Sequence, residues 1–134
     1  MSPLDPFVGI PYLDRGRTIE GCDCYGLLRL VMAELRGVEL PSFSDLYVTA
    51  ADIHAIACLV EGGLDQWDRV AAGKEQAFDG VLMRRGRDIR HIGVVIEPGR
   101  LLHVDRGQTS RIERYRPPAP LAARVVGFYR FRGQ

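Results

Sequence analysis

The chain has 134 residues, enough for one domain that buries a core without metals or disulfides. Hydrophobic residues make up 46% and charged residues 26%, which excludes a disordered chain, and 18 Lys+Arg against 17 Asp+Glu leave a net charge of +1, which removes bulk nucleic-acid binding. No apolar run is long enough to cross a bilayer. The start, Met1-Ser2-Pro3-Leu4-Asp5-Pro6, lacks the basic and apolar regions of a Sec signal, so the expectation is a protein made in the cytoplasm that does not export itself by that route.

In chain order, the stretch to about Gly21 carries Pro3, Pro6, Pro11, Gly9 and Gly16 and reads as an irregular surface arm. Leu28, Val31, Met32 and Leu35 then repeat at helical spacing, with Asp23 as N-cap and Gly37 and Pro41 as the stop. Ile53, Ile56, Ala57 and Val60 predict a second helix from Ala50 to Val60, ended by Gly62-Gly63. His54 has no assigned role there, and Cys58 reads as packing. Beyond Phe78 come short β-rich runs: Val81 to Met83, Ile92 to Ile96 and Leu101 to Val104, the last two joined by a turn at Glu97-Pro98-Gly99-Arg100. Gln108 to Tyr115 and Arg124 to Phe131 add two more, separated by Pro117-Pro118-Ala119-Pro120. Helices first and strands afterwards predict a single α+β domain over 1–134, with N-terminal helices packed on an antiparallel sheet. Trp67, Phe78 and Tyr115 are expected in the core, and Arg84, Arg85, Arg87, Arg90, Arg111, Arg114 and Arg116 on a solvated face.

Chemistry concentrates in Gly21-Cys22-Asp23-Cys24-Tyr25-Gly26. Cys24 falls in the first turn of the predicted helix, where unpaired N–H groups and the macrodipole favour a thiolate and can stabilise an oxyanion. Gly26 admits a close neighbour. Cys24 as a small packing residue fits this segment equally well. His91 opens the strand Ile92 to Ile96 and His103 lies near the end of the next run, so a hairpin through Pro98-Gly99 brings both to one end of neighbouring strands. His91 can then take the thiol proton while His103 holds its ring. Asp105 and Arg106 border that region without an assigned role.

Asp23-Cys24-Tyr25-Gly26, His91-Ile92-Gly93, His103 and Gly9-Ile10-Pro11-Tyr12 together resemble the NlpC/P60 cysteine peptidases. The resemblance runs from about Gly9 to Tyr115 and implies a papain-like fold, a Cys24–His91–His103 triad, and Tyr12 lining the active site. It also implies a peptidoglycan stem peptide as substrate, cut beside a D-γ-glutamyl residue. Asp23 then either binds a free substrate amine or simply caps the helix. Tyr25 departs from the small residue usual at its position and is expected beside the substrate, narrowing the cleft. Leu13-Asp14-Arg15-Gly16 stands where the family has a Gly-Gly pair.

Tyr25 and Gly37-Val38-Glu39-Leu40-Pro41, with Phe43 and Tyr47 beyond, are similar to the phage-tail or gene-transfer-agent branch. That likeness implies tail hub or baseplate partners, carriage in a virion and action in the periplasm. No cofactor, metal, nucleic-acid partner or membrane insertion is expected. Two alternatives stay open: an inactive tail-tip assembly protein, and a zinc domain built on Cys22, Cys24, His91 and His103. The enzymatic reading requires Cys24, His91 and His103 to converge on a groove open to solvent.

Overall fold

The computed structural model describes residues 3–40 and 67–132. The helix expected from Ala50 to Val60 lies outside them, with His54 and Cys58, as do Phe43 and Tyr47. Among the described residues the α-helix is α1, Cys24–Arg36. Its ends follow the expected chemistry. Asp23 is extended and its Oδ1 accepts from the Gly26 N–H at 2.7 Å, while Gly37 ends the helix in the left-handed region at φ 66°. Leu27, Leu28, Val31 and Met32 form the buried stripe, with Leu35 packed beside it.

The N-terminal arm is more ordered than its prolines suggest. A 3-10 turn spans Asp5–Phe7, and β1 (Arg17–Thr18) pairs antiparallel with β2 (Gly21–Cys22). Buried Ser110 fastens the arm: its hydroxyl accepts from the Ile10 N–H at 2.8 Å and donates to the Phe7 carbonyl at 2.5 Å. Pro11 also bridges Thr109, and Tyr12 bridges Cys22.

The C-terminal part forms a six-stranded antiparallel sheet. Its strands are β3 (Trp67–Val70), β4 (Gly80–Arg85), β5 (Asp88–Glu97), β6 (Arg100–His103), β7 (Arg111–Arg114) and β8 (Val125–Phe131), in the order β3-β8-β4-β5-β6-β7. The five expected runs are all present. β3 escaped prediction because it is a short edge strand whose two central residues, Asp68 and Arg69, are exposed, so it lacks the period-2 alternation. Trp67 and Tyr115 are buried as expected, and Phe78 packs against the core.

Directly paired residues share a face. Leu82, Ile92, Val94 and Leu102 join the residues of α1 in one apolar cluster, whereas Val81, Met83, Val95, Leu101 and Phe128 form a second on the other side, covered by the 3-10 turn Pro120–Arg124. This is an α+β papain-like arrangement, a helix laid on an antiparallel sheet.

Candidate active site

Cys24 is the first residue of α1, and the helix start is held from below. The Asp23 carboxylate, fully buried, takes the Gly26 N–H, the Arg17 guanidinium at 2.7 Å and the Arg15 N–H at 3.2 Å. Gly26 is required by its neighbours: a Cβ there would lie 2.2 Å from the Gly16 carbonyl oxygen and 3.0 Å from Asp23 Oδ1. The close approach expected at Gly26 is thus made by the chain's own backbone. Tyr25 is fully buried, with the Arg17 guanidinium 5.7 Å from its ring centroid. Of the two roles open to Asp23, the helix cap is made in this structure, and the Tyr25 ring packs into the core. Tyr12 is half-buried, with the Arg106 guanidinium 5.2 Å from its ring centroid. Cys22 is fully buried in β2, and burial first, then the charge of Asp23, push its thiol up to about 12, with Arg17 opposing. Such a thiol is a poor nucleophile at neutral pH.

The histidines come together through strand register. β5 and β6 pair Val94 with Leu102 and Val95 with Leu101; continued, that register sets Gly93 opposite His103. Gly93 makes the room: a Cβ there would stand 3.1 Å from the Leu102 carbonyl oxygen and 3.3 Å from His103 Cβ. His91 Nε2 lies 2.8 Å from His103 Nδ1, and His103 Nε2 lies 2.8 Å from Glu113 Oε1 on β7. By alternation His91 and His103 point to the Met83 and Leu101 side of the sheet, while the body of α1 lies on the Ile92 and Leu102 side. The arm's bonds to Gln108 and Ser110, just past the end of β6, bring the head of the helix to the end of the sheet where the histidines sit.

Cys24, His91 and His103 are all buried, so the expected open groove is closed in this structure. His91 Nδ1 is buried without any hydrogen-bond partner, the one such side-chain atom among the described residues.

Sequence reasoning missed one carboxylate, Glu113, and left another, Asp105, at the border of the site without a role. Glu113 ends the imidazole chain and also accepts from Arg111 Nε at 3.0 Å. Asp105 Oδ1 stands 3.5 Å from His91 Nε2, and its oxygens also meet Arg85, Arg111 and Arg124 at 3.3 to 3.4 Å. Continuing the β5–β6 register places residue 105 opposite residue 91, a signal that could have found Asp105. Glu113 needed the β6–β7 pairing of His103 with Arg111, which places it two residues on along the same face. Arg85, Arg111 and, on buried Glu75, Arg116 are therefore ion-pair partners, beyond the solvated face expected of them. His91, His103 and Asp105 are the one group of potential metal ligands within 4.8 Å of one another among the described residues. Neither Cys22 nor Cys24 belongs to it, so the four-residue zinc set is not assembled.

The electrostatics keep the rings neutral. Burial pushes His91 down to about 3, with His103, Arg124 and Arg85 adding to the effect and Asp105 opposing it. Burial also lowers His103, against the pull of the Glu113 hydrogen bond and of Asp105. Burial alone would raise Glu113 and Glu75. Hydrogen bonds to His103 and to Tyr115, with Arg111 and Arg116, more than reverse this, and Glu75 falls to about 2.

Each of these groups binds fewer protons folded than unfolded over some acid window, so stability must fall as pH drops. The loss begins near 6.5, the ordinary histidine value, and each depressed histidine adds a slope of about 1.4 kcal/mol per pH unit. The carboxylates join below their ordinary 4.5. Urea unfolding between pH 4 and 8 should show this decline; flat stability down to about pH 5 would contradict buried neutral rings.

A cysteine heading a helix, laid on an antiparallel sheet that carries a histidine pair, is the layout of a papain-like cysteine hydrolase. The sequence profile of the NlpC/P60 family matches residues 9–126, and the chain belongs to that family, whose members are cysteine peptidases. A search among curated proteins finds no match.

Among solved structures, the chain is similar to an NlpC/P60 protein from Bacillus cereus, with TM-score 0.68 and 18% identity over 93% of this chain and 36% of that one. It also resembles a lipoprotein-like NLP/P60 protein from Staphylococcus aureus, with TM-score 0.67 and 16% identity over 96% of this chain and 38% of that one. The NlpC/P60 domain of the peptidoglycan hydrolase SagA matches with TM-score 0.61 and 17% identity, over 92% of this chain and 88% of that one. The chain thus spans well under half the length of the first two proteins and nearly the whole of the SagA domain. No α-helix among the described residues is long and apolar enough to cross a membrane.

Proposed function

We propose that residues 1–134 form a single catalytic domain that hydrolyses peptidoglycan stem peptides, with Cys24 as nucleophile, His91 as general base and His103 orienting the base. One observation carries this reading: His91 Nδ1 is a buried nitrogen with no partner while Nε2 of the same ring is taken by His103. An unsatisfied buried polar atom costs about 1–3 kcal/mol, and such atoms persist where function needs them. A nitrogen kept free in this way is suited to accept the thiol proton once substrate opens the buried site and brings sulfur and ring into contact.

In the reaction the Cys24 S–H proton moves to His91 Nδ1 and the sulfur attacks the peptide carbonyl. The positive N-terminal end of α1 stabilises the oxyanion, with Tyr12 at its side. The amine leaves with the proton from His91, and water then releases the acyl group. By family likeness the bond lies beside a D-γ-glutamyl residue. Tyr25 and the Gly37-to-Pro41 segment further support carriage in a phage-like tail, with hub or baseplate proteins as partners and the periplasm as the place of action.

Digestion of purified sacculi tests the reading. Wild type should release muropeptides ending in free D-γ-glutamyl groups, and Cys24→Ala should release none. Equal release from both would end the enzymatic reading in favour of an assembly protein.

A further inference from the structure

We infer that Glu113 is a positioning residue that sets which nitrogen of each imidazole carries its hydrogen, and thereby leaves His91 Nδ1 bare. The inference deepens the proposed function, resting on His91 as base, but its first readout is independent of activity.

The argument is one of donors and acceptors. A neutral imidazole has one N–H and one bare nitrogen, and an ionised carboxylate can only accept. Glu113 is held ionised, its pKa lowered by the hydrogen bond to His103 and the guanidinium of Arg111 against the opposing effect of burial. At 2.8 Å from Glu113 Oε1, His103 Nε2 must therefore carry the hydrogen. Neutral His103 then has a bare Nδ1. The 2.8 Å contact from that atom to His91 Nε2 needs a donor, so His91 Nε2 carries the hydrogen in turn. One nitrogen remains on His91, and it must be bare: Nδ1, the atom without a partner.

The reverse order, with a hydrogen on His91 Nδ1, would set the lone pair of His103 Nε2 against a carboxylate oxygen at 2.8 Å. Asp105 does not compete as the selector. Its oxygens are 3.5 Å from His91 Nε2 and 3.9 Å from His103 Nδ1, and three guanidiniums share them. When Cys24 gives up its proton, the S–H bond breaks and an N–H bond forms at His91 Nδ1. The hydrogens on His91 Nε2 and His103 Nε2 stay in place, and the charge of Glu113 steadies the cation through His103.

Imidazole 15N spectra of the full chain at pH 7 test the first step. His91 Nδ1 should resonate as unprotonated and His91 Nε2 and His103 Nε2 as protonated; a protonated His91 Nδ1 would overturn the inference. Glu113→Leu, which removes the acceptor, should mix the tautomers and lower kcat about 10- to 100-fold at unchanged KM, by the logic of a lost orienting group. Glu113→Gln keeps an oxygen and should recover most of that loss. Wild-type kcat in Glu113→Leu, or equal damage in both variants, overturns the acceptor role. Equal sacculus digestion by Cys24→Ala and wild type would instead remove the catalytic reading, and the wild-type 15N result would still decide the tautomers.

Discussion

Replacing His91 by glutamine is expected to lower kcat/KM for muropeptide release by about 10³-fold, within the range that positioned acid–base groups contribute. The variant separates chemistry from packing. A glutamine amide can still donate to His103 Nδ1, so the β5–β6 pairing and the His103–Glu113 bond have no reason to break. What disappears is the bare nitrogen at Nδ1. Two further readouts follow from the ring held down to about 3.

The acid limb of wild-type kcat/KM should lie well below 6.5, because the ring stays neutral where an ordinary histidine is charged. A base of such low pKa is weak, and the thiolate formed beside it supplies the counter-charge that draws the proton across. In His91→Gln the decline of stability between about pH 6.5 and 4.5 should become shallower, since one of the two depressed rings is gone. An unchanged kcat/KM in a folded His91→Gln protein would remove His91 as the base.

The second large effect concerns folding. Gly26→Ala at the head of α1 should destabilise the protein by about 2–4 kcal/mol, where an exposed helical Gly→Ala change normally stabilises by about 1 kcal/mol. The reversal of sign comes from the Cβ, which would sit 2.2 Å from the Gly16 carbonyl oxygen, with Asp23 Oδ1 at 3.0 Å and Arg17 Nη1 at 3.1 Å. Either the arm that carries Tyr12 lifts from the helix or the first turn of α1 shifts, and both loosen the Asp23 cap. Urea denaturation reads the difference. Stability equal to or above wild type would show that the arm does not press on the helix.

The start and stop of α1 were legible in the sequence because capping is local: the cap bond of Asp23 spans three residues to Gly26, and Gly37 needs only its own backbone. The hairpin bearing His91 and His103 was legible for a similar reason, since two apolar runs joined by a Pro-Gly turn set their own register. Edge strand β3 was hidden because its central residues are exposed and its pairing partner, β8, begins more than fifty residues away.

The site divides along the same line. Cys24, His91 and His103 stood out as candidates from the chemistry of their types and their places in local elements. The surroundings of those residues were decided only by the tertiary structure. It buried Tyr25, spent the Asp23 carboxylate on three donors and brought Asp105 and Glu113 up to the imidazoles. Burial and cross-strand contact depend on residues far apart in the chain, and no local pattern encodes them. For that reason the sequence could name candidate groups, while the closed site and the path of its hydrogen bonds required the fold.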